Sequence, residues 1–392
     1  MYNINCMLDI NKEPWMIPLE TRCAMLNDAH EHGRKITMLI YEAPDTSTFR
    51  YRGYNILRAT EKSSKWQSVY FFLNEIDKIL EYLPIVDLLV VIRVKWIHNI
   101  DQIIYRAKEQ KVKVLFDVDD LIFDINYLNM VTNTLNVCFS SDRDYEFWFA
   151  HIGRIGYTAS KADGFITTNK FLGEKLKEKY NKPYNIIINS LNSEQINASE
   201  KLVSIKKKQK SKRPFTIGYF SGTPSHINDF KTVYLEIIEL LNEFQDMQLN
   251  VVGFMDFPKE MKSLIDNKRV KFTPLVDFVE LQRLIAQVDV NIVPLVNNTF
   301  TNCKSELKFF EAAIVDTVTL ATPTFTYKNS ITDGVNGFLC NPGQWYEKIK
   351  RIYLEDIKCD TIIKNAHAYA IDNYYGSDFI KMIENCYDSF LC

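Results

Sequence analysis

Short apolar runs alternate with amphipathic stretches from residue 36 onward through the first half of the chain. The apolar runs predict strands at residues 36–41, 88–94, 113–116, 164–168 and 185–189, and the stretches predict helices at 100–109 and 170–180. This alternation is typical of a parallel sheet that is covered by helices. We therefore predict an α/β domain in residues 1–198.

The same alternation starts again at residue 215. It predicts strands at residues 215–220, 248–253, 270–272 and 290–295, and helices at 229–244 and 276–286. The segment 199–214 between the two series is polar, and six of the eight positions 206–213 are lysine or arginine. This composition predicts a solvated linker between two domains, or alternatively a patch that contacts an anionic membrane.

Composition and charge argue against several classes of protein. Hydrophobic residues make up 46% of the chain, charged residues 24%, and the formal net charge is -2, so we predict a soluble protein that does not bind nucleic acid. No apolar run is long enough to span a bilayer, and we expect a cytoplasmic protein, with contact at the inner membrane face through residues 206–213 as the alternative. The eight cysteines show no zinc-binding spacing, and the aromatic residues at 145–149 are expected to pack within a helix.

The first segment with candidate chemistry is IGYFSGTPSHINDF at residues 217–230. It predicts a strand, a glycine-containing turn and a helix, an arrangement that directs backbone amides toward one point. Such a point binds anions, and the candidate binding residues are Ser221, Gly222 and Thr223.

The second segment begins CKSELKFFEAA at residue 303. Lys304 and Glu311 are seven positions apart, which places them on one helix face, so that a cation and an acid can converge on one ligand. Lys308 is interpreted with Glu311 as an ordinary charge pair on a helix surface.

These two segments, with DGVNGF at residues 333–338, resemble the donor-binding half of glycosyltransferase family 4, whose members have the GT-B fold. The resemblance implies an α/β protein of two Rossmann-like domains that face each other across a cleft. The second domain is expected in residues 215–365, and the final helix, in residues 366–392, is expected to cross back to the first domain.

The same resemblance implies a nucleotide diphosphate sugar as the donor and no metal or other cofactor. Lys304 would neutralise the donor diphosphate, which gains charge as the sugar departs, and Glu311 would bind the ribose. Many relatives carry a glutamate at the position of Cys303, and Glu306 is the candidate substitute in catalysis.

The string VLFDVDDLIFD at residues 114–124 places acids after a predicted strand, where parallel sheets bind ligands. Asp117 and Asp119 match the DxD motif of magnesium-dependent haloacid dehalogenase-like phosphatases, which is an alternative interpretation. The part DDLIF is similar to a segment of a family 4 subgroup that borders the cleft. That similarity implies that Asp119 or Asp120 orients the acceptor hydroxyl.

The string FRYRGYN at residues 49–55 resembles the first cleft loop of the same subgroup. Arg50 and Arg52 are therefore candidates for binding a phosphate of a lipid-linked acceptor, next to Asp120. The resemblance implies transfer of a sugar, with retention at its anomeric carbon, to a glycan or lipid-linked acceptor in surface polysaccharide assembly. The alternative is a non-catalytic GT-B subunit that binds a nucleotide or a glycan.

Overall fold

The computed structural model describes residues 1–4, 8–209, 213–222 and 226–391. These residues form two parallel sheets of six strands each, which confirms the predicted α/β class. The first sheet contains β1 Lys35–Tyr41, β2 Trp66–Phe72, β3 Leu88–Ile92, β4 Lys113–Val118, β5 Gly164–Thr167 and β6 Tyr184–Ile186. The second contains β7 Phe215–Ser221, β8 Met247–Gly253, β9 Val270–Thr273, β10 Val290–Val293, β11 Val318–Ala321 and β12 Phe338–Leu339.

Helices cover both faces of the two sheets. They are α1 Leu19–Glu31, α2 Asn55–Thr60, α3 Ile76–Tyr82, α4 His98–Glu109, α5 Leu128–Thr134, α6 Asp142–Lys161, α7 Lys170–Tyr180, α8 Ser193–Lys208 and α9 His226–Phe230, followed by α10 Tyr234–Glu243, α11 Lys262–Asp266, α12 Phe278–Ala286, α13 Thr299–Asn302, α14 Leu307–Ala313, α15 Phe325–Ser330, α16 Trp345–Tyr353, α17 Asp360–Tyr374 and α18 Ser377–Leu391. Single 3₁₀ turns lie at Leu73–Glu75, Leu83–Ile85, Ile125–Tyr127 and Lys259–Met261, and a π-helical turn lies at Arg50–Tyr54.

Local sequence explains these elements well in the first half. All five residues of β3 are buried, because a parallel sheet with helices on both faces needs apolar side chains on both sides. Helix α7 begins after Asn169, whose side-chain oxygen accepts a hydrogen bond from the Leu172 amide, and ends at Asn181 in the left-handed conformation.

The order of the strands places a crevice at one end of each sheet. The first sheet has the order β2-β1-β3-β4-β5-β6 and the second β12-β11-β10-β7-β8-β9. The first sheet therefore grows on one side of β1 with β2 and on the other side from β3 onward, and the second sheet changes side in the same way between β7 and β10. These two places are the first and second reversal points. Ligands of parallel sheets bind beyond the carboxyl ends of strands at such reversal points.

The basic segment differs from the predicted linker, because α8 runs through residues 199–208 as a helix. Lys206 is buried, and its ammonium donates to the carbonyl oxygen of Asp316 at 2.8 Å and to the hydroxyl of Thr317 at 2.9 Å. Lys207 pairs with a carboxylate oxygen of Asp316 at 3.0 Å, and Arg213 pairs with Asp289. Lys206 and Arg213 are thus bound within the protein, Lys207 forms an ion pair but remains mostly exposed, and residues 210 and 212 lie outside the described part.

The two ends of the described chain each pack on the opposite half. Ile4 packs in a cluster with residues of the second half, including Phe220, and α18 packs against the first sheet near Trp66. The predicted single carboxy-terminal helix is two helices, since the chain turns between α17 and α18 at Gly376, whose φ is +86°. None of the helices in the described residues is long and apolar enough to cross a membrane.

Candidate functional site

The segment 303–311 lies at the seam between the two halves. Lys304 reaches across it, and its Nζ is 3.3 Å from Oδ1 of Asp120. The side chain of Asn169 donates to the carbonyl of Cys303 at 2.7 Å, and that of Asn189 donates to the hydroxyl of Ser305 at 3.0 Å. The structure therefore brings together Lys304 and Asp120, which the sequence placed in different domains.

Arg93 connects the two predicted carboxylates. It follows β3 in the left-handed conformation with φ of +53°, a strained state for a residue with a β-carbon. Its Nη1 lies 2.7 Å from Asp119 and 3.7 Å from Asp120, and donates to the hydroxyl of Thr48 at 2.8 Å. Burial tends to raise the pKa of Asp119, but Arg93 and Arg52 outweigh it, so the pKa is lowered and the carboxylate is a weak base.

The two predicted acceptor arginines are buried and differ from the expectation of free cleft residues. Arg52 donates two hydrogen bonds to Asp117, at 2.8 and 2.6 Å, and a third to the carbonyl of Ile187 at 2.6 Å. This pairing also occupies the carboxylate that the phosphatase interpretation needed as its nucleophile. Arg50 donates to the Tyr51 hydroxyl at 2.8 Å, and its guanidinium lies over the Phe278 ring.

Glu311 is held by residues outside its own domain. Its Oε1 accepts hydrogen bonds from the Tyr51 hydroxyl and, at 3.3 Å, from the side-chain amide of Gln195. Arg50 Nη2 is 3.5 Å from the same oxygen. Burial raises the pKa of Tyr51, which therefore remains a hydrogen-bond donor at neutral pH. Lys304 and Glu311 thus both contact the first half, through different partners.

Glu306 points away from this cluster. Its Oε1 accepts a hydrogen bond from the Tyr374 hydroxyl at 2.7 Å, and burial raises its pKa, although the bonds from Tyr374 and Ser330 oppose this. Cys303 is fully buried in the core of the first half, and burial raises its thiol pKa. Both side chains are therefore buried, and the role predicted for Glu306 in catalysis stays a prediction.

Lys308 is a candidate site residue that the sequence pattern assigned to the surface. Its Nζ is buried, and no described residue accepts a hydrogen bond from it. The Nζ lies 5.5 Å from the centroid of the Tyr219 ring. Burial lowers its pKa to about 8, although Asp229 and Glu311 favour the charged form. Lys304 precedes α14, which begins at Leu307, so the predicted helix face shared by Lys304 and Glu311 is wrong, and only Lys308 and Glu311 lie on that helix, three positions apart.

The predicted glycine turn lies at the carboxyl end of β7. Ser221 is the last residue of the strand and is buried, Gly222 is exposed, and Thr223 lies outside the described residues. The predicted helix at 229–244 is two helices, and α9, which follows the turn, has only five residues. The charge that faces the second reversal point therefore comes from lysine side chains more than from a helix dipole.

A cavity of about 240 Å³ lies at the first reversal point, beyond the ends of β1 and β3. Its polar lining includes Glu42, Thr48, Arg93, Lys95 and His151. The same Thr48 and Arg93 contact Asp119. The cavity thus adjoins the carboxylates at the seam, and the sequence pattern assigned no role to these lining residues.

Comparison with known proteins agrees with this arrangement. Residues 215–355 match the family model described as "Glycosyl transferases group 1". A sequence search of curated proteins gave no match.

Among solved structures, HepE from Anabaena in complex with UDP and glucose has a TM-score of 0.60 at 13% identity, over 91% of this chain and 100% of that one. A glycosyltransferase from Rickettsia africae has a TM-score of 0.60 at 14% identity, over 91% of this chain and 99% of that one. Sucrose-phosphate synthase from Thermosynechococcus elongatus has a TM-score of 0.56 at 13% identity with the same coverage. The chain therefore shares the GT-B fold of these structures, and its residues 215–355 match the glycosyl transferases group 1 model.

Proposed function

We propose that the chain transfers a sugar from a nucleotide diphosphate sugar to a hydroxyl of a glycan or lipid-linked acceptor. UDP-glucose is the first donor to try, because HepE, which shares the fold, was solved with it. The observation that carries the proposal is the pair of lysines at the second reversal point. The Nζ of Lys308 is buried without a hydrogen-bond acceptor among the described residues, and Lys304 lies four residues before it at the seam.

Asp229 and Glu311 favour the charged form of Lys308, but its buried ammonium lacks a hydrogen-bond acceptor among the described residues, and buried polar groups normally have one. The diphosphate of a donor would supply the missing acceptor oxygens. The two lysines would then stabilise the charge that develops on the diphosphate as the sugar departs. They supply the positive charge that a metal ion supplies in other phosphate sites.

In the proposed step, an acceptor hydroxyl oxygen forms a bond to the anomeric carbon of the donor sugar. The bond from that carbon to the diphosphate oxygen breaks, and its electron pair leaves with the nucleoside diphosphate. Asp119 is a weak base because Arg93 lowers its pKa, so it orients the hydroxyl and the departing phosphate takes the proton. Proton transfer on the face of the leaving group accords with retention at the anomeric carbon.

Donor binding requires a rearrangement at the seam. Lys304 is paired with Asp120 and Glu311 with Tyr51, so the phosphate and ribose would replace these partners as the halves separate. Renewed closure would then place the donor against the acceptor and exclude water.

We expect Lys304→Ala to weaken binding of UDP about 10-fold or more and to leave binding of uridine unchanged. The reason is that Lys304 contacts the phosphates, and a charge-assisted hydrogen bond contributes about 1.5–3 kcal/mol. Calorimetric titration of both ligands into both proteins measures this. Equal losses for UDP and uridine would refute a role at the diphosphate.

The function itself is tested by incubating the protein with a panel of nucleotide sugars and with glycan and lipid-linked acceptors. We expect release of nucleoside diphosphate and a glycosylated product from at least one pair, and NMR of that product gives its anomeric configuration. Tight nucleotide binding with no turnover for any pair would favour the non-catalytic GT-B subunit instead.

A further inference from the structure

The described residues that line the cavity at the first reversal point include no cation free to bind an anion. Lys95 is 3.1 Å from Glu42, and Arg93 is 2.7 Å from Asp119. Burial, with the nearby positive charges of Lys95 and Arg93, lowers the pKa of His151. The imidazole is therefore neutral at pH 7 and can both donate and accept a hydrogen bond.

Asp45 also lines the cavity, and its carboxylate accepts hydrogen bonds from the hydroxyls of Tyr41 and Ser47. Ile92, Ile122 and Ile155 contribute apolar surface. A volume of about 240 Å³ lies below the roughly 300–1,000 Å³ of sites for drug-sized ligands. Carboxylate and hydroxyl oxygens that can accept hydrogen bonds, an apolar wall and cations that are already paired suit one uncharged sugar ring at this size.

An exposed aromatic turn adjoins this cavity. It consists of Tyr145, Phe147, Trp148 and Phe149 in the first turns of α6. Phe147 is 64% exposed, Phe149 45% and Tyr145 41%, whereas Trp148 packs against the core of the first half. The rings of Phe147 and Trp148 lie 6.1 Å apart, and those of Tyr145 and Phe149 lie 6.4 Å apart on another side of the helix. Apolar side chains clustered at a surface mark a binding site more often than isolated ones do.

His151 joins the cavity to the aromatic turn. It lines the cavity, and its ring lies 6.1 Å from that of Phe147, nearly parallel, and 5.8 Å from that of Trp148. An acceptor whose sugar fills the cavity would therefore place its attached group along the aromatic turn.

We propose that the acceptor is an uncharged sugar carried on an apolar group, with the sugar in the cavity and the apolar group on the aromatic turn. This inference rests on the proposed transfer reaction and identifies its acceptor. In this proposal the acceptor is not recognised through a phosphate bound by Arg50 and Arg52, as expected from the sequence, because both of those side chains are buried.

The test is a calorimetric titration with methyl and octyl glycosides of glucose, galactose, mannose and N-acetylglucosamine, below the micelle concentration. We expect at least one octyl glycoside to bind 10-fold or more tightly than its methyl counterpart. The double variant Phe147→Ser/Phe149→Ser should remove that preference. Ser47→Trp, which fills the mouth of the cavity from an exposed loop, should weaken both glycosides of that sugar.

The matched control is Leu235→Ser/Phe272→Ser, which removes two exposed apolar side chains from the second half. It should keep the octyl preference. Three results would overturn the proposal: no glycoside binds, glucose 6-phosphate competes better than the neutral glycosides, or the octyl preference survives in the aromatic double variant.

A vesicle-binding assay distinguishes an acceptor site from a membrane anchor. If the aromatic double variant loses binding to phosphatidylglycerol vesicles but keeps the octyl preference, the turn is a membrane anchor and the proposal fails. A panel of nucleoside diphosphates that includes UDP is titrated separately into the wild-type protein. Glycoside binding without binding of any nucleoside diphosphate refutes the proposed transfer, whereas nucleoside diphosphate binding without any glycoside binding refutes the acceptor assignment alone.

Discussion

Replacing Lys308 by methionine is expected to lower kcat/KM for the donor by a factor of about 10² to 10³, the range seen when one preorganised donor to a developing negative charge is removed. Methionine keeps the length of the side chain and removes the charge, so the core around Tyr219 should remain packed. Because the variant no longer buries an ammonium that lacks a hydrogen-bond acceptor among the described residues, its free energy of unfolding should stay the same or rise. A loss of activity without a loss of stability separates a ligand-binding role from a structural one.

The same lysine gives a pH dependence with a definite sign. Burial lowers its pKa to about 8, with Lys304 acting in the same direction and Asp229 and Glu311 opposing. At pH 7 the amine is charged, and it loses its proton as the pH rises through 8. UDP affinity of the wild-type protein should therefore fall above pH 8, while the affinity of Lys308→Met stays nearly constant across that interval.

The matched control for this prediction is Lys262→Met, which removes an exposed lysine on α11. Steady-state kinetics and calorimetry at several pH values measure all three proteins. If Lys308→Met behaves like Lys262→Met in both assays, the buried lysine does not bind the donor.

Replacing Arg52 by methionine is expected to reduce the free energy of unfolding by about 3–5 kcal/mol, the usual cost of removing one partner of a buried ion pair. The side chain of Arg52 has no exposed surface and donates to both carboxylate oxygens of Asp117, so the variant leaves a buried carboxylate unpaired. Denaturant unfolding followed by circular dichroism measures the loss.

Arg58→Met is the matched control, because Arg58 lies six residues further along, is 40% exposed and pairs with Glu61 on the surface. Such surface pairs contribute about 0–1 kcal/mol. The double variant Arg52→Met/Asp117→Leu should recover part of the stability, since it removes both charges. If Arg52→Met is as stable as Arg58→Met but loses acceptor binding, Arg52 faces the ligand as the sequence suggested.

The fold was predictable because its signals are local. Strand β3 is a continuous apolar run, and β7 and β8 are largely apolar with a few polar residues. Helix α7 is preceded by the capping residue Asn169 and ends at Asn181. Strand β2 was missed, although all seven of its residues are buried. Gly376 was also missed as the point where the last helix divides, because a single glycine within a long helical pattern is a weak break signal.

The site was predictable only in part. Lys304 and Asp120 were identified from their motifs, and their contact across the seam is a property of the folded chain. The burial of Arg52 could not be predicted, because its partner Asp117 is 65 residues away and a loop arginine looks the same in either state. Arg93 could not be predicted as a site residue, because nothing in the neighbouring sequence indicates its left-handed backbone. That backbone directs its side chain to Asp119.

Helix α18 packs on the first half, although it is synthesised after all the other described helices. The Trp66 ring lies 5.1 Å from the Tyr387 ring, and Trp66 donates a hydrogen bond to Asp388. Trp66 is therefore synthesised long before these two partners. Ribosomes add roughly 5–20 residues per second, so the interval between the synthesis of Trp66 and that of Tyr387 is on the order of ten seconds or more. During that time the nascent first half carries an apolar face that is covered only once α18 has been synthesised.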